Sequence, residues 1–281
     1  MKLRIMTGVI IGFVTLAMIA LGDTFLIAGL SIVGLVCTQE LAVMMNRIWQ
    51  TVAIANTPKF EAVHSTALED KEYASRRKGL IHFLSITTCV ILCTVLLTNS
   101  QYRIYIVVYS ILSVISTLTR SHNAHKESLL AAINTSMVTL VLTCSGVISF
   151  YVLSQIHQWQ LIYVIGLTAV SDIMGYFVGK KYGKVRIFPQ ISPNKTEYGT
   201  VAMLISPSLA GIILSISCGI SFQPFWTAIG ILGLIGDLWI SSIKRLANLK
   251  DTGTLLPGHG GILDRIDSHI LVLSVASYIF T

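Results

Sequence analysis

The stretch 226-WTAIGILGLIGDLWISSIKRLANLKDTGTLLPGHGGILDRIDSHILVLSVASYIF-280 decides how the rest of the chain is read. It opens on an apolar run, 226–240, whose one charged residue is Asp237, and it closes on a second apolar run, 270–280. Between them, residues 241–268 hold Lys244, Arg245, Lys250, Asp251, Asp264, Arg265 and Asp267 together with a glycine-rich element, Pro257–Gly261. Two apolar runs, parts of candidate spans at 224–241 and 264–280, joined by a segment dense in charge, predict a polar site at the mouth of membrane spans.

Composition extends this reading to the whole chain. Of 281 residues, 53% are hydrophobic and 12% charged, with a mean hydropathy of +0.74. A soluble domain carries about 25% charged residues. The predicted fold is all-α, a polytopic integral membrane protein of about nine transmembrane helices, over 5–22, 24–45, 79–99, 102–119, 134–154, 161–179, 201–220, 224–241 and 264–280. The segments after the first, third and seventh are very short and imply antiparallel hairpins. Pro207 falls inside the seventh, where a neighbour must satisfy the carbonyl it frees. Cys37, Cys89, Cys93, Cys144 and Cys218 all sit in apolar runs without metal-ligand spacing and read as small core residues. The N-terminus has the shape of a secretory signal, but its length and the further spans favour an uncleaved first helix. Two regions follow: N-terminal helices, 1–160, with a polar loop at 46–78, and a C-terminal catalytic region, 161–281, with loops at 180–200 and 242–263.

Lys and Arg placement predicts orientation. With the N-terminus in the cytoplasm, every one of the 20 Lys and Arg except Arg103 lies on the inside or at the mouth of the last span. The C-terminus is then outside. The 46–78 loop reads equally as a surface helix bringing Arg76, Arg77 and Lys78 to anionic headgroups or as a solvated connector.

Ionisable groups at membrane depth are costly and point to function. Asp172, Asp237, Asp264 and Asp267 lie near the predicted cytoplasmic ends of three helices, the last two at i and i+3 on one helical face. Ion pairing, for instance Asp237 with Lys244 or Asp264 with Arg265, is the structural alternative. Converging carboxylates near water and phosphate-binding cations suit Mg²⁺, which takes hard oxygen ligands and shares them with substrate phosphates. Glu40 has no partner evident in sequence and reads as a core hydrogen-bonding group. The 180–200 loop is basic, with Lys180, Lys181, Lys184, Arg186 and Lys195 against Glu197, and it carries Ser192 and Thr196 as phosphate or headgroup contacts. Lys244, Arg245 and Lys250 supply further cations, while Gly260 and Gly261 let backbone N–H groups face an anion. His259 can serve as proton carrier, phosphate contact or loop donor. A triphosphate held by these cations, with Mg²⁺ on the acids, would allow electrostatic catalysis of phosphoryl or nucleotidyl transfer.

The run SSIKRLANLKDTGTLLPGHGGILDRID closely resembles the signature of phosphatidate cytidylyltransferases, through Ser241, Lys244, Arg245, Lys250, Asp251, Pro257, His259, Gly260, Gly261, Asp264, Arg265 and Asp267. GDL at 236–238 matches the preceding element of that family. SDIMGYFVGKKYGK with ISPNKT is similar to its earlier stretch, through Asp172, Tyr176, Gly179, Lys180, Gly183, Lys184, Ser192, Pro193, Lys195 and Thr196. The likeness covers about 170–270. DIMGY stands where the family usually has Asp-Thr-Gly-Ala-Tyr, KTEYG where it has Lys-Thr-x-Glu-Gly, TVAM where a glycine pair is common, and Ile240 where an acid commonly precedes the serine. The resemblance implies transfer of a cytidylyl group from CTP to phosphatidic acid in a lipid bilayer, in the cytoplasmic membrane of a bacterium, with no role for nucleic acid. It implies Mg²⁺ on Asp237 and Asp264 first, then Asp267 and Asp172, and allows a second metal ion and a homodimer. It assigns Lys244, Arg245, Lys250, Asp251, His259 and Arg265 to the catalytic set, and Lys180, Lys184, Ser192, Lys195, Thr196, Ser241, Gly260 and Gly261 to substrate phosphates. A relative acting on another lipid phosphate, and a non-catalytic lipid-binding scaffold or transporter, are the competing readings.

Overall fold

The computed structural model describes residues 12–15, 17–19, 21, 23–56, 129–255 and 260–280. Six long helices follow in order: α1 (Asp23–Asn56), α2 (Leu129–Ile156), α3 (Gln158–Tyr182), α4 (Glu197–Cys218), α5 (Phe225–Leu246) and α6 (Leu263–Phe280). They match the predicted spans at 24–45, 134–154, 161–179, 201–220, 224–241 and 264–280, with α1 running well past its expected end. The predicted spans at 79–99 and 102–119, and most of that at 5–22, lie outside the described residues, as does most of the 46–78 loop. Among the described residues, four helical segments are long and apolar enough to cross a membrane: Ala28–Ile48, Gln158–Tyr182, Glu197–Cys218 and Phe225–Leu246. No strand is present among them, only an isolated bridge between Arg186 and Thr196.

α5 is the central helix and packs against α3, α4 and α6. One apolar cluster joins Cys37, Leu41, Met44 and Ile48 of α1 to Trp239, Ile240 and Ile243 of α5 and Leu271 of α6. A second joins Leu153 of α2, Leu161 and Val164 of α3, Trp226 and Ile229 of α5 and Val272 of α6. The N-terminal and C-terminal regions of the sequence therefore share both cores. The outward faces of α3 and α4 remain apolar and bare, as at Phe177, Ile213 and Ile216, the last 80% exposed, which is the surface of a helix that meets lipid.

Small residues set how closely the helices approach, the usual device where lipid removes any hydrophobic drive between helices. Gly175 and Gly179 of α3 face Gly199 of α4, where a methyl group would lie 2.7 Å from the Gly175 carbonyl oxygen. A methyl group on Gly230 of α5 would meet the α4 backbone, and one on Gly236 the Asp267 carbonyl of α6. α2 is tied to α6 by buried serine pairs, Ser145 with Ser274 at 2.6 Å and Ser149 with Ser277 at 2.8 Å. Pro207 has no N–H to give the Met203 carbonyl one turn earlier, and Ser171 Oγ of α3 donates to that oxygen at 2.7 Å. The requirement read from the sequence is met by the neighbouring helix.

Two helices end on left-handed residues, and the second of these ends turns the chain into the site. α4 stops at Gly219, which takes the left-handed conformation with φ +67°. α5 stops in a Schellman motif: Asn248 has φ +54°, Leu249 N–H donates to the Lys244 carbonyl at 2.8 Å, and Asn248 N–H to that of Arg245 at 3.0 Å. The chain is thereby folded back across the end of α5. Between α3 and α4, residues 183–196 form a narrow ribbon, with Ile187 N–H bonded to the Lys195 carbonyl and Glu197 N–H to that of Val185.

Candidate active site

The ribbon, the turn after α5 and the first turn of α6 close around one cavity of about 670 Å³. It is lined by Asp172, Ser192, Lys195, Thr196, Asp237, Ser241, Lys244, Arg245, Lys250, Asp251, Asp264, Arg265 and Asp267, all named from the sequence. Its size is that of a cofactor-scale ligand site. Six helix and loop segments contribute, and the close α5–α6 approach at Gly236 is what sets Asp237 beside Asp267.

The acids fall into two sets. Asp264 is fully engaged. Its Oδ1 accepts from Lys244 Nζ at 2.6 Å, and its Oδ2 accepts from Thr252 N–H at 2.8 Å, Thr252 Oγ at 3.0 Å and Gly261 N–H at 3.0 Å. Lys244 is only 8% exposed, so this is a buried ion pair. Behind it, Glu40 of α1 accepts from Thr252 Oγ at 2.8 Å, Ile262 N–H at 2.9 Å and Leu263 N–H at 3.0 Å. Gly253, Gly260 and Gly261 are packed against these carboxylates: a methyl group on Gly260, whose φ is +81°, would lie 2.6 Å from Asp264 Oδ2. Gly261 thus turns its N–H to an anion, as read from the sequence, but the anion is the protein's own Asp264.

The second set is less engaged. Asp172 Oδ2 accepts from Ser268 Oγ at 2.7 Å, and Asp267 Oδ1 from Ser268 N–H at 2.8 Å. Asp237 pairs with Lys195 at 2.6 Å and accepts a long bond, 3.3 Å, from Ser241 Oγ. Asp172, Asp237 and Asp267 are near enough to repel one another. Ion pairs join Lys195 to Asp237 and Lys244 to Asp264. Among the described residues, no group of three or more Asp, Glu, His or Cys side chains is arranged to hold a metal ion unaided. The donor set nevertheless fits Mg²⁺, which is bound through one or two carboxylates and completes its shell with water and substrate phosphate.

Arg245 has a positioning task. Its Nε donates to the Ile191 carbonyl and its guanidinium to the Leu249 carbonyl, both at 3.1 Å, tying the ribbon to the turn after α5. Lys250 and Asp251 are exposed at the mouth. Lys180 and Lys184 do not line the cavity: Lys180 lies over the Tyr176 ring at 5.7 Å and Lys184 is exposed. Gly260 and Gly261 lie behind the lining, and His259 is outside the described residues. Thr252 and Ser268 went unread in the sequence, although each directly follows a motif aspartate. Gly175, Tyr176 and Met203 add an apolar wall, and Tyr176 is 57% exposed on the outer face beside Ile173 and Phe177.

An all-helical, membrane-type bundle with a charged cavity at one end of its apolar helices is the class that fold and site define. The sequence model of the cytidylyltransferase family matches residues 2–281, and the chain belongs to that family. It is similar to the phosphatidate cytidylyltransferase of Bacillus subtilis, 34% identical over 132 residues, covering 44% of this chain and 49% of the relative. The phosphatidate cytidylyltransferase of Thermotoga maritima is 34% identical over 130 residues, 42% and 47% of the two chains. An uncharacterized protein of Escherichia coli, YnbB, is 39% identical over 126 residues, 42% and 41% of the two. The matched stretch spans about half the length of these curated relatives.

Proposed function

We propose that the chain transfers a cytidylyl group from CTP to phosphatidic acid, giving CDP-diacylglycerol and pyrophosphate. The observation that carries this reading is a single cavity that gathers the motif cations and acids and has an apolar wall toward the lipid-facing side of α3. A phosphate oxygen of the lipid attacks the α-phosphorus of CTP, and the bond to the β-phosphate oxygen breaks as pyrophosphate leaves. The attacking oxygen is already anionic at neutral pH, so the protein's work is alignment and relief of charge repulsion. Lys195, Lys250 and Arg265 serve the triphosphate, while Lys244 supports it from its pair with Asp264. Ser192 and Thr196, on the ribbon, supply hydroxyl contacts. Tyr176 and Met203 border the path by which acyl chains enter from the side.

The cavity lining contains five Lys or Arg and five Asp, so its formal charge is balanced. A triphosphate and a lipid phosphate would find no net attraction there without added positive charge. That balance supports a divalent cation such as Mg²⁺, which one or two of Asp237, Asp267 and Asp172 would hold and substrate phosphate would share, neutralising the acids and the leaving pyrophosphate. The Lys and Arg distribution supports about nine spans with the cavity facing the cytoplasm, the N-terminus inside and the C-terminus outside. The test is purified protein with labelled CTP and phosphatidate. CDP-lipid is expected with Mg²⁺ and not after chelation. No product with any lipid phosphate, in the presence of divalent cation, overturns the assignment.

A further inference from the structure

Glu40 stands apart from every motif, on α1, in a part of the chain where the resemblance carried no residue. It is 7% exposed, inside an apolar cluster of Cys37, Leu41 and Met44. A buried carboxylate in such surroundings persists only when its oxygens are supplied with donors. Glu40 receives three, and all belong to the segment that follows α5: the Thr252 hydroxyl and the backbone N–H groups of Ile262 and Leu263. Ile262 and Leu263 open α6, where unsatisfied N–H groups and the helix dipole favour an anion.

The same segment is gripped from the other side by Asp264, which holds Thr252 N–H, Thr252 Oγ and Gly261 N–H while pairing with Lys244. Thr252 Oγ touches both carboxylates and has one proton to give. The hydroxyl therefore couples Glu40 to Asp264, and through Asp264 to Lys244 and to the helical turn that carries Asp267. Gly253 and Gly261 leave room for the Glu40 carboxylate: a methyl group on Gly253 would sit 2.8 Å from its Oε1, and one on Gly261 would collide with its Oε2.

We infer that Glu40 is a positioning residue for the transfer reaction, which, through Thr252, sets the register of the first turn of α6 so that Asp267, Lys244 and Asp237 face one cavity. This rests on the cytidylyltransferase reading. Glu40→Gln is the sharp variant. It keeps size but turns an NH₂ group toward N–H donors, so at least one of the three bonds is replaced by a clash of donors. Thr252→Val removes the shared hydroxyl at constant shape, and Thr252→Ser restores it.

With wild type active in detergent or nanodiscs, kcat is expected to fall at least tenfold in Glu40→Gln and in Thr252→Val. The KM for the lipid should stay within about twofold, the Mg²⁺ concentration for half activity should rise, and Thr252→Ser should recover most of kcat. A role in stability alone would lower the melting temperature and leave kcat per folded molecule unchanged. Glu40→Gln and Thr252→Val both within twofold of wild-type kcat would overturn the inference. Should Glu40→Gln fail to fold, Thr252→Val against Thr252→Ser decides alone. Should wild type turn over no lipid phosphate, the functional reading fails by itself. Hydrogen exchange then decides the positioning role: faster exchange confined to the amides of Thr252, Gly261, Ile262 and Leu263 supports it, and unchanged exchange there overturns it.

Discussion

Two groups of acids lie within one small volume and live under different rules. Glu40 and Asp264 have their oxygens filled by hydroxyl, backbone and lysine donors of the protein itself. Asp172, Asp237 and Asp267 meet fewer donors, repel one another and line the cavity. The contrast separates acids whose oxygens the protein fills from acids it leaves less engaged at the cavity, although both kinds occur in one unbroken motif. Asp264 and Asp267 are three positions apart on one helix and belong to opposite groups.

The sharpest way to break this contrast is to neutralise one acid from each group. Asp267→Asn and Asp237→Asn should lower kcat about 10³-fold, the scale of losing a preorganised electrostatic contact, with the melting temperature in detergent hardly changed. Asp264→Asn should cost both properties. It leaves Lys244 buried without its counter-ion, a loss of about 3 kcal/mol or more, seen as a large fall in melting temperature beside the loss of activity. Equal thermal behaviour of the Asp264 and Asp267 variants would dissolve the distinction.

Smaller effects sharpen it from the packing side. Gly199→Ala must part α3 from α4, because the new methyl group would meet backbone atoms of Gly175 and Gly179 rather than a yielding side chain. A loss of about 1–3 kcal/mol is expected, with a raised KM for CTP as the ribbon carrying Lys195 shifts. Ser171→Ala strands the carbonyl freed by Pro207 and should cost about 1–3 kcal/mol, and the double variant Ser171→Ala/Pro207→Ala should recover much of it. Ser149→Ala, breaking one α2–α6 serine pair far from the cavity, should cost about 0.6 kcal/mol and leave the kinetic constants alone.

Much of this was legible without coordinates. Long apolar runs announced the helices, and charge spacing brought Asp172, Lys195, Asp237, Lys244 and Asp267 to one end of them. Pro207 announced that a partner was needed for a carbonyl, though not that Ser171 would be it. The partners of Glu40 could not be read, for a physical reason: two of the three are backbone N–H groups, which leave no mark in the residue alphabet. The same blindness made Gly260 and Gly261 read as phosphate-facing. A glycine signals a close approach, and the approaching group here is a carboxylate from within the chain. Among the partners of Glu40, Thr252 alone held a usable hint, its place next to Asp251.

The reach of Glu40 also has a consequence for how such a protein is made. Its partners lie 212, 222 and 223 positions further along the chain. During synthesis α1 enters the bilayer long before those donors exist, bearing a carboxylate that lipid disfavours. The site is then completed only when α6 arrives and its first turn docks on α1, made far earlier. A chain interrupted before residue 262 would retain Asp237 and Lys244 but leave Glu40 without the donors that open α6, a defect that membrane quality control could recognise by an unpaired acid within the bilayer.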